Sequence, residues 1–204
     1  MSALLCTSLS FECALQATVC RNILFPNETG WWSVGEAYGV GLMQYLQNWA
    51  VGFTDWNLLL DSTGGPSHDR RFGCNAPLMR DVASPAGVVV QAPYYFLRHF
   101  ARYLRPHTRI VGAMSYTGND PPAPRGSFFY DKGAEHANGD GLAVLGGIHA
   151  NGTRVLVVMN SGDALVHYKL KDGESSAPMS IPGHAIQTLR WNPLSRAHKD
   201  LTLN

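Results

Sequence analysis

Gly52-Phe53-Thr54-Asp55-Trp56-Asn57 sets an acid, an indole and an amide side by side in a run that is otherwise apolar through Leu58-Leu59-Leu60. Polar groups in such a run lose water on burial, and this is costly unless they meet hydrogen-bond partners or face a site. If the run is a barrel strand, its C-terminal end belongs to the face where barrel enzymes build their active sites. There Trp56 would offer a flat apolar face on which a sugar ring stacks, with Asp55 and Asn57 beside it. The competing reading makes Trp56 structural and Asp55 and Asn57 a pair bracing the rim. The residues alone leave the two readings equal.

The other chemistry-bearing residues point nowhere so definite. Glu36 lies within a helical pattern, and Glu28 follows Asn27 in a loop-like stretch. Cys6, Cys13 and Cys20 recur every seven residues, along one helix face, and Cys74 stands apart. None is spaced C-x-x-C, so no metal site is expected, and small buried residues are expected rather than a disulfide cluster. No cofactor is implied. A formal charge of +1 with scattered Lys and Arg gives no case for nucleic acid. The eight histidines would gain charge in an acidic compartment. The first 17 residues are fairly apolar but lack a basic start and include Glu12, which makes a weak secretory signal. No apolar run reaches the roughly 18 residues of a membrane span. Asn27-Glu28-Thr29 and Asn151-Gly152-Thr153 are sequons, usable only in a secreted chain.

The elements that would position the cluster follow from periodicity. Within residues 31–49, Trp32, Ala37, Tyr38, Gly41, Leu42, Tyr45, Leu46 and Trp49 recur at three and four, which predicts an amphipathic helix. Residues 51–60 predict a strand buried on both faces, closed by Asp61-Ser62-Thr63-Gly64-Gly65-Pro66. Helix into strand is one unit of a parallel α/β sheet. Residues 61–93 read as a long irregular loop, and residues 94–104 as a second helix stopped by Pro106. Strands are then expected over 109–116, 142–149, 153–160, 165–170 and 186–191, with Asn151-Gly152 as a hairpin turn. Short strands at that spacing predict an antiparallel β-sandwich. The period changes near residue 107, dividing the chain into 1–106 and 107–204.

Several blocks resemble the glucosylceramidase branch of glycoside hydrolase family 30. Gly52 to Asn57 followed by Gly64-Gly65-Pro66 is similar to that family's G-W-T-D-W-N…G-G-P stretch, and Trp32-Ser33-Val34-Gly35 with Tyr38 resembles its preceding helix. Gln91-Ala92-Pro93-Tyr94-Tyr95-Phe96-Leu97-Arg98-His99-Phe100 resembles its Q-P-x-F-Y-x-L-x-H-F segment. The stretch from Ile181 through Pro182-Gly183-His184 to Trp191 resembles its closing strand. The blocks run in order from Trp31 to Trp191.

The resemblance implies the last strand and flanking helices of an incomplete (β/α)8 TIM barrel, followed by an antiparallel β-sandwich. It implies retaining hydrolysis of glucosylceramide, in which one carboxylate attacks the anomeric carbon and a second protonates the departing ceramide oxygen. Trp56 would line the glucose pocket, with Asp55 and Asn57 flanking it. A lysosomal or secreted setting, a glycolipid substrate and peripheral membrane contact follow on the same basis.

Departures from the family pattern qualify the activity. Where the nucleophile motif A-S/T-E-A-C would stand, the chain reads Ala17-Thr18-Val19-Cys20, without the glutamate. The acid/base glutamate belongs to an earlier part of the barrel that no stretch here matches, and Asn27-Glu28 falls after the nucleophile position. Arg70-Arg71-Phe72 replaces the family's R-N-F. No catalytic residue is therefore assigned, and a complete barrel needs about 250 residues. Two alternatives stand beside this reading. One is a non-catalytic sandwich binding a partner, glycan or membrane surface; the other is a related β-xylosidase or endo-xylanase activity.

Overall fold

The computed structural model describes residues 32–55, 57–66, 74–113 and 142–193. Two compact units share the chain, dividing between Arg98 and His99.

In the first unit, helix α1 (Trp32–Gln47) precedes three short strands, β1 (Leu59–Leu60), β2 (Leu78–Arg80) and β3 (Val88–Val90), and helix α2 (Ala92–Tyr103) begins. β1 pairs parallel to β2, with Leu59 opposite Leu78, and β3 pairs antiparallel to β2. The parallel pair is the expected α/β signature, but the expected strand over 51–60 is reduced to two residues. Val51 is fully exposed, as are Leu58 and Leu59 for the greater part. Apolar composition made that run read as doubly buried, whereas a strand also needs a paired neighbour, and β2 meets only its end. The stretch 61–93, expected to be irregular, supplies β2 and β3; three-residue strands carry too short a period to show in sequence.

The buried stripe of α1 is Val34, Gly35, Tyr38, Gly39, Leu42 and Met43. It includes two glycines and leaves Trp32 and Trp49 outside the core, with Trp49 93% exposed. α2 starts at Ala92 rather than residue 94, because Pro93 falls in the first turn, where a helix needs no amide donor. A Cβ at Gly35 would lie 2.7 Å from Phe96 Cε2, closer still to Phe96 Cδ2, and 3.0 Å from the Ala92 carbonyl carbon. The glycine therefore lets α1 and α2 touch. Trp32 stacks edge-on against the same Phe96 ring at 5.1 Å.

The second unit holds a four-stranded antiparallel sheet in the order β4 (Arg109–Val111), β5 (Leu142–Ile148), β6 (Arg154–Asn160), β9 (Ala185–Trp191). A hairpin of β7 (Val166–Asp172) and β8 (Ser175–Ile181) forms a separate two-stranded sheet. Leu142, Leu156, Val158 and Ile181 form a core cluster between the two, joined by Val166, Tyr168, Leu170 and Trp191. The expected hairpin turn is present: β5 and β6 pair from Leu142–Asn160 to Ile148–Arg154, and Gly152 has φ 83°. β8 was not expected. Ser175-Ser176-Ala177-Pro178 is exposed throughout and offers no apolar alternation to read.

Polar ties fasten these layers. Asp172 on β7 accepts hydrogen bonds from Arg154 on β6 and, at 2.8 Å, from the indole Nε1 of Trp191 on β9. Gln187 on β9 donates to the Tyr168 hydroxyl on β7. The C-terminal half of α2 lies against the sheet, with His99 Nδ1 2.9 Å from Thr188 Oγ1 and His149 Nε2 2.8 Å from the Tyr103 carbonyl.

Asn160 ends β6 and is 1% exposed. Its Nδ2 donates to the carbonyls of Ala164 at 2.8 Å and Pro182 at 2.9 Å, and its Oδ1 accepts from the Gly162 amide at 3.0 Å. One side chain thus closes both the β6–β7 loop and the β8–β9 turn. Buried polar side chains persist when fully satisfied, as this one is.

Candidate active-site rim

Asp55 is the member of the polar cluster whose surroundings are best defined. It is half-buried, and the Tyr38 hydroxyl of α1 donates to its Oδ1 at 3.2 Å. Tyr38 is 2% exposed; Phe53 packs edge-on against its ring at 6.5 Å, and Val34, Leu97 and Cys74 complete that cluster. Burial, then the neighbouring Asp55 carboxylate and its hydrogen bond, push the Tyr38 phenol far above its ordinary range. Tyr38 consequently stays a donor at every physiological pH and holds Asp55 to the helix. Asn57 is half-buried two residues on. Trp56 lies outside the described residues, as do Glu28, Ala17 to Cys20, the Asn27 sequon and Arg70-Arg71-Phe72. Glu36 is half-buried on α1.

The loop after β1 is organised by one carboxylate. Asp61 Oδ1 accepts from the Thr63 amide at 2.8 Å, the Thr63 hydroxyl at 2.7 Å and the Gly65 amide at 2.9 Å. Gly64 takes φ 80°, and its carbonyl accepts from the Cys74 amide at 3.0 Å. The sequence marked Asp61 to Pro66 as the turn closing the strand, but not Asp61 as its organiser; an Asp followed two residues on by Thr and then by Gly-Gly is the signal that could have shown it.

These bonds hold the Asp61 carboxyl below the usual aspartate range, the Thr63 hydroxyl contributing most. The folded pKa is lower than the unfolded one, so the stabilisation is present above the ordinary aspartate value and lost as pH falls through the folded value. Asp61→Ala should therefore lower the melting temperature at pH ~5 and above, and the difference from the parent should begin to shrink as pH falls below about 3.9 and be lost once it is below the lowered folded value. Melting curves of both proteins across that range provide the check.

Cys74, for which the sequence shows no pairing, is disulfide-bonded. The chain's other cysteines, Cys6, Cys13 and Cys20, lie outside the described residues. Among the described residues no three His, Cys, Asp or Glu side chains cluster as a metal site, and no helix is long and apolar enough to cross a membrane.

A short sheet with a parallel pair beside two helices in one unit, and antiparallel sheets in the other, are what the end of a barrel followed by a β-sandwich would supply. Residues 17–104 match the glycosyl hydrolase family 30 TIM-barrel domain, and residues 134–189 match the family 30 β-sandwich domain. Between them these cover more than two thirds of the chain, which belongs to glycoside hydrolase family 30. It is 24% identical over 163 residues to the lysosomal acid glucosylceramidase of Mus musculus, covering 79% of this chain and 27% of that one. SrfJ from Salmonella typhimurium superposes with TM-score 0.66 at 26% identity, over 83% of this chain and 33% of that one. The endo-β1,6-glucanase BT3312 shares the fold with TM-score 0.58 at 20% identity, over 78% and 31% of the two chains. The chain thus spans about a quarter of the curated relative and a third of the solved structures it matches.

Proposed function

We propose that this chain forms the closing part of a retaining β-glucosidase site that hydrolyses glucosylceramide to glucose and ceramide. On its own it does not turn substrate over, because neither family glutamate has a counterpart in it. The observation that carries the reading is the Thr54-Asp55-Trp56-Asn57 motif, with Asp55 anchored by Tyr38 beside the strand that enters the sheet. In it Trp56 is the face on which glucose stacks, Asp55 is held by the helix and shapes the rim, and Asn57 flanks the sugar. In this reading the barrel part ends at residue 106 and the sandwich begins at 107. A lysosomal or secreted setting is supported by the lysosomal relative and by the Cys74 disulfide, since such bonds persist where the surroundings are oxidising. Contact with the membrane surface that presents the glycolipid belongs to the same proposal.

The test has two arms. The chain alone, assayed on a fluorogenic β-glucoside at acidic and neutral pH, is expected to show no turnover; activity abolished by Glu28→Gln or Glu36→Gln would overturn this. In a protein supplying the rest of the barrel, Trp56→Ala should lower kcat/KM by about tenfold or more, the equivalent of about 1.4 kcal/mol of stacking, with an almost unchanged melting temperature. A loss of about 3–5 kcal/mol of stability with normal activity in the folded fraction would make Trp56 a core residue instead.

A further inference from the structure

The turn between β5 and β6 carries a complete sequon, Asn151-Gly152-Thr153. Asn151 is exposed at the tip. Gly152 follows it with φ 83°, and a Cβ built there would meet no atom within 4 Å, so the tip is open on that side. The Asn151 side chain is used through its oxygen: Oδ1 accepts from the Thr153 amide at 3.1 Å. Its Nδ2, the atom a glycan would occupy, makes no hydrogen bond among the described residues. The modification is therefore compatible with the turn as it is folded, the side-chain oxygen keeping its bond while the nitrogen carries the sugar.

From this we infer that Asn151 is an N-glycosylation site. The inference rests on the proposed secretory setting, to which the disulfide at Cys74 is a second, independent pointer. The co-reactant is a polyprenyl-diphosphate-linked oligosaccharide. The Asn151 nitrogen forms a bond to the anomeric carbon and loses one proton, while the bond from that carbon to the diphosphate oxygen breaks and the polyprenyl diphosphate leaves with its electron pair. Nothing is oxidised or reduced.

Order of events is also set by the fold. The sequon requires the hydroxyl of Thr153, yet Thr153 is 3% exposed and its Oγ1 donates to Asn192 Oδ1 at 2.8 Å. Transfer must precede closure of the hairpin and arrival of Asn192, on the chain as it enters the lumen. Once folded, the glycan projects from the hairpin tip and makes that end of the sandwich a solvent-facing surface.

The test uses the whole chain behind a fused secretory signal in a cell that N-glycosylates, with Asn27→Gln throughout so that one sequon remains. A peptide:N-glycosidase should shift the band and convert Asn151 to aspartate in the peptide map. Asn151→Gln and Thr153→Ala should each abolish the shift, and Thr153→Ser, which keeps the hydroxyl, should retain it. Lumenal membranes are read rather than medium, so a variant that fails to fold after transfer is still scored. Lumenal chain with an oxidised Cys74 and an unmodified Asn151 would overturn the inference. No glucosidase assay enters, so failure of the hydrolase reading is a separate result.

Discussion

Asn160→Ala is expected to destabilise the sandwich by about 3 kcal/mol or more, counting about 1 kcal/mol for each bond lost and the cost of stranding buried partners. Two carbonyls, of Ala164 and Pro182, and the Gly162 amide lose their partner together. For a unit of this size the melting temperature should fall by more than about 10 °C. Asn160→Asp separates hydrogen bonding from packing. At neutral pH it sets a carboxylate against two carbonyl oxygens in a buried place, which raises the folded pKa above the unfolded one. Stability of that variant is therefore highest below the ordinary aspartate range and is lost as pH rises through the raised value. A variant that instead gains stability with rising pH, or an alanine variant melting like the parent, would show that the corner is held by something else. Gly183 belongs to the same corner: a Cβ there would lie within 2.7 Å of the Gly162 oxygen and closer still to Asp163.

The second large effect comes from two glycines of α1 that should respond with opposite signs. Gly35→Ala should cost about 1–3 kcal/mol, since its methyl group must displace the Phe96 ring and the start of α2. Phe96 is 0% exposed and has Trp32 against it, so it has no empty space to move into. Gly41→Ala meets nothing nearer than the Tyr45 ring at 3.9 Å and should stabilise the helix by up to about 1 kcal/mol through lower backbone entropy in the unfolded chain. Thermal unfolding of the two variants beside the parent is the measurement. A Gly35→Ala protein at least as stable as Gly41→Ala would mean that α1 and α2 do not pack as described.

What could be seen in sequence follows how local the cause is. Asn151-Gly152 announced its hairpin because the left-handed turn is a property of those residues alone. The strands rich in Val and Leu, β5 and β6, were legible for the same reason. β8 was not, because Ser175 to Pro178 is held by pairing with β7 and carries no apolar pattern of its own. The face of α1 was shifted because tryptophans outrank glycines in any apolar count, whereas close packing against Phe96 selects Gly35. At the candidate rim, Asp55 and Asn57 were visible as misfits in an apolar run. The Tyr38 bond that fixes Asp55 spans 17 residues and exists only once helix and strand have met. Asn160 was invisible for the same reason: its acceptors at Ala164 and Pro182 come together only in the finished fold.

The position of β6 in its sheet carries a consequence for synthesis. One edge of β6 is satisfied by β5, which has already emerged, across a turn of five residues, 149–153. The other edge belongs to β9, which follows only after residues 161–184 and the whole β7–β8 hairpin. While that interval is being translated, a strand rich in valine presents a row of unpaired backbone groups, the kind of edge that recruits other chains. A ribosome that stalls or terminates between Asp172 and Ala185 would release a polypeptide with its most aggregation-prone strand half-covered. Among the described strands, β9 is thus the one that covers the open edge of β6.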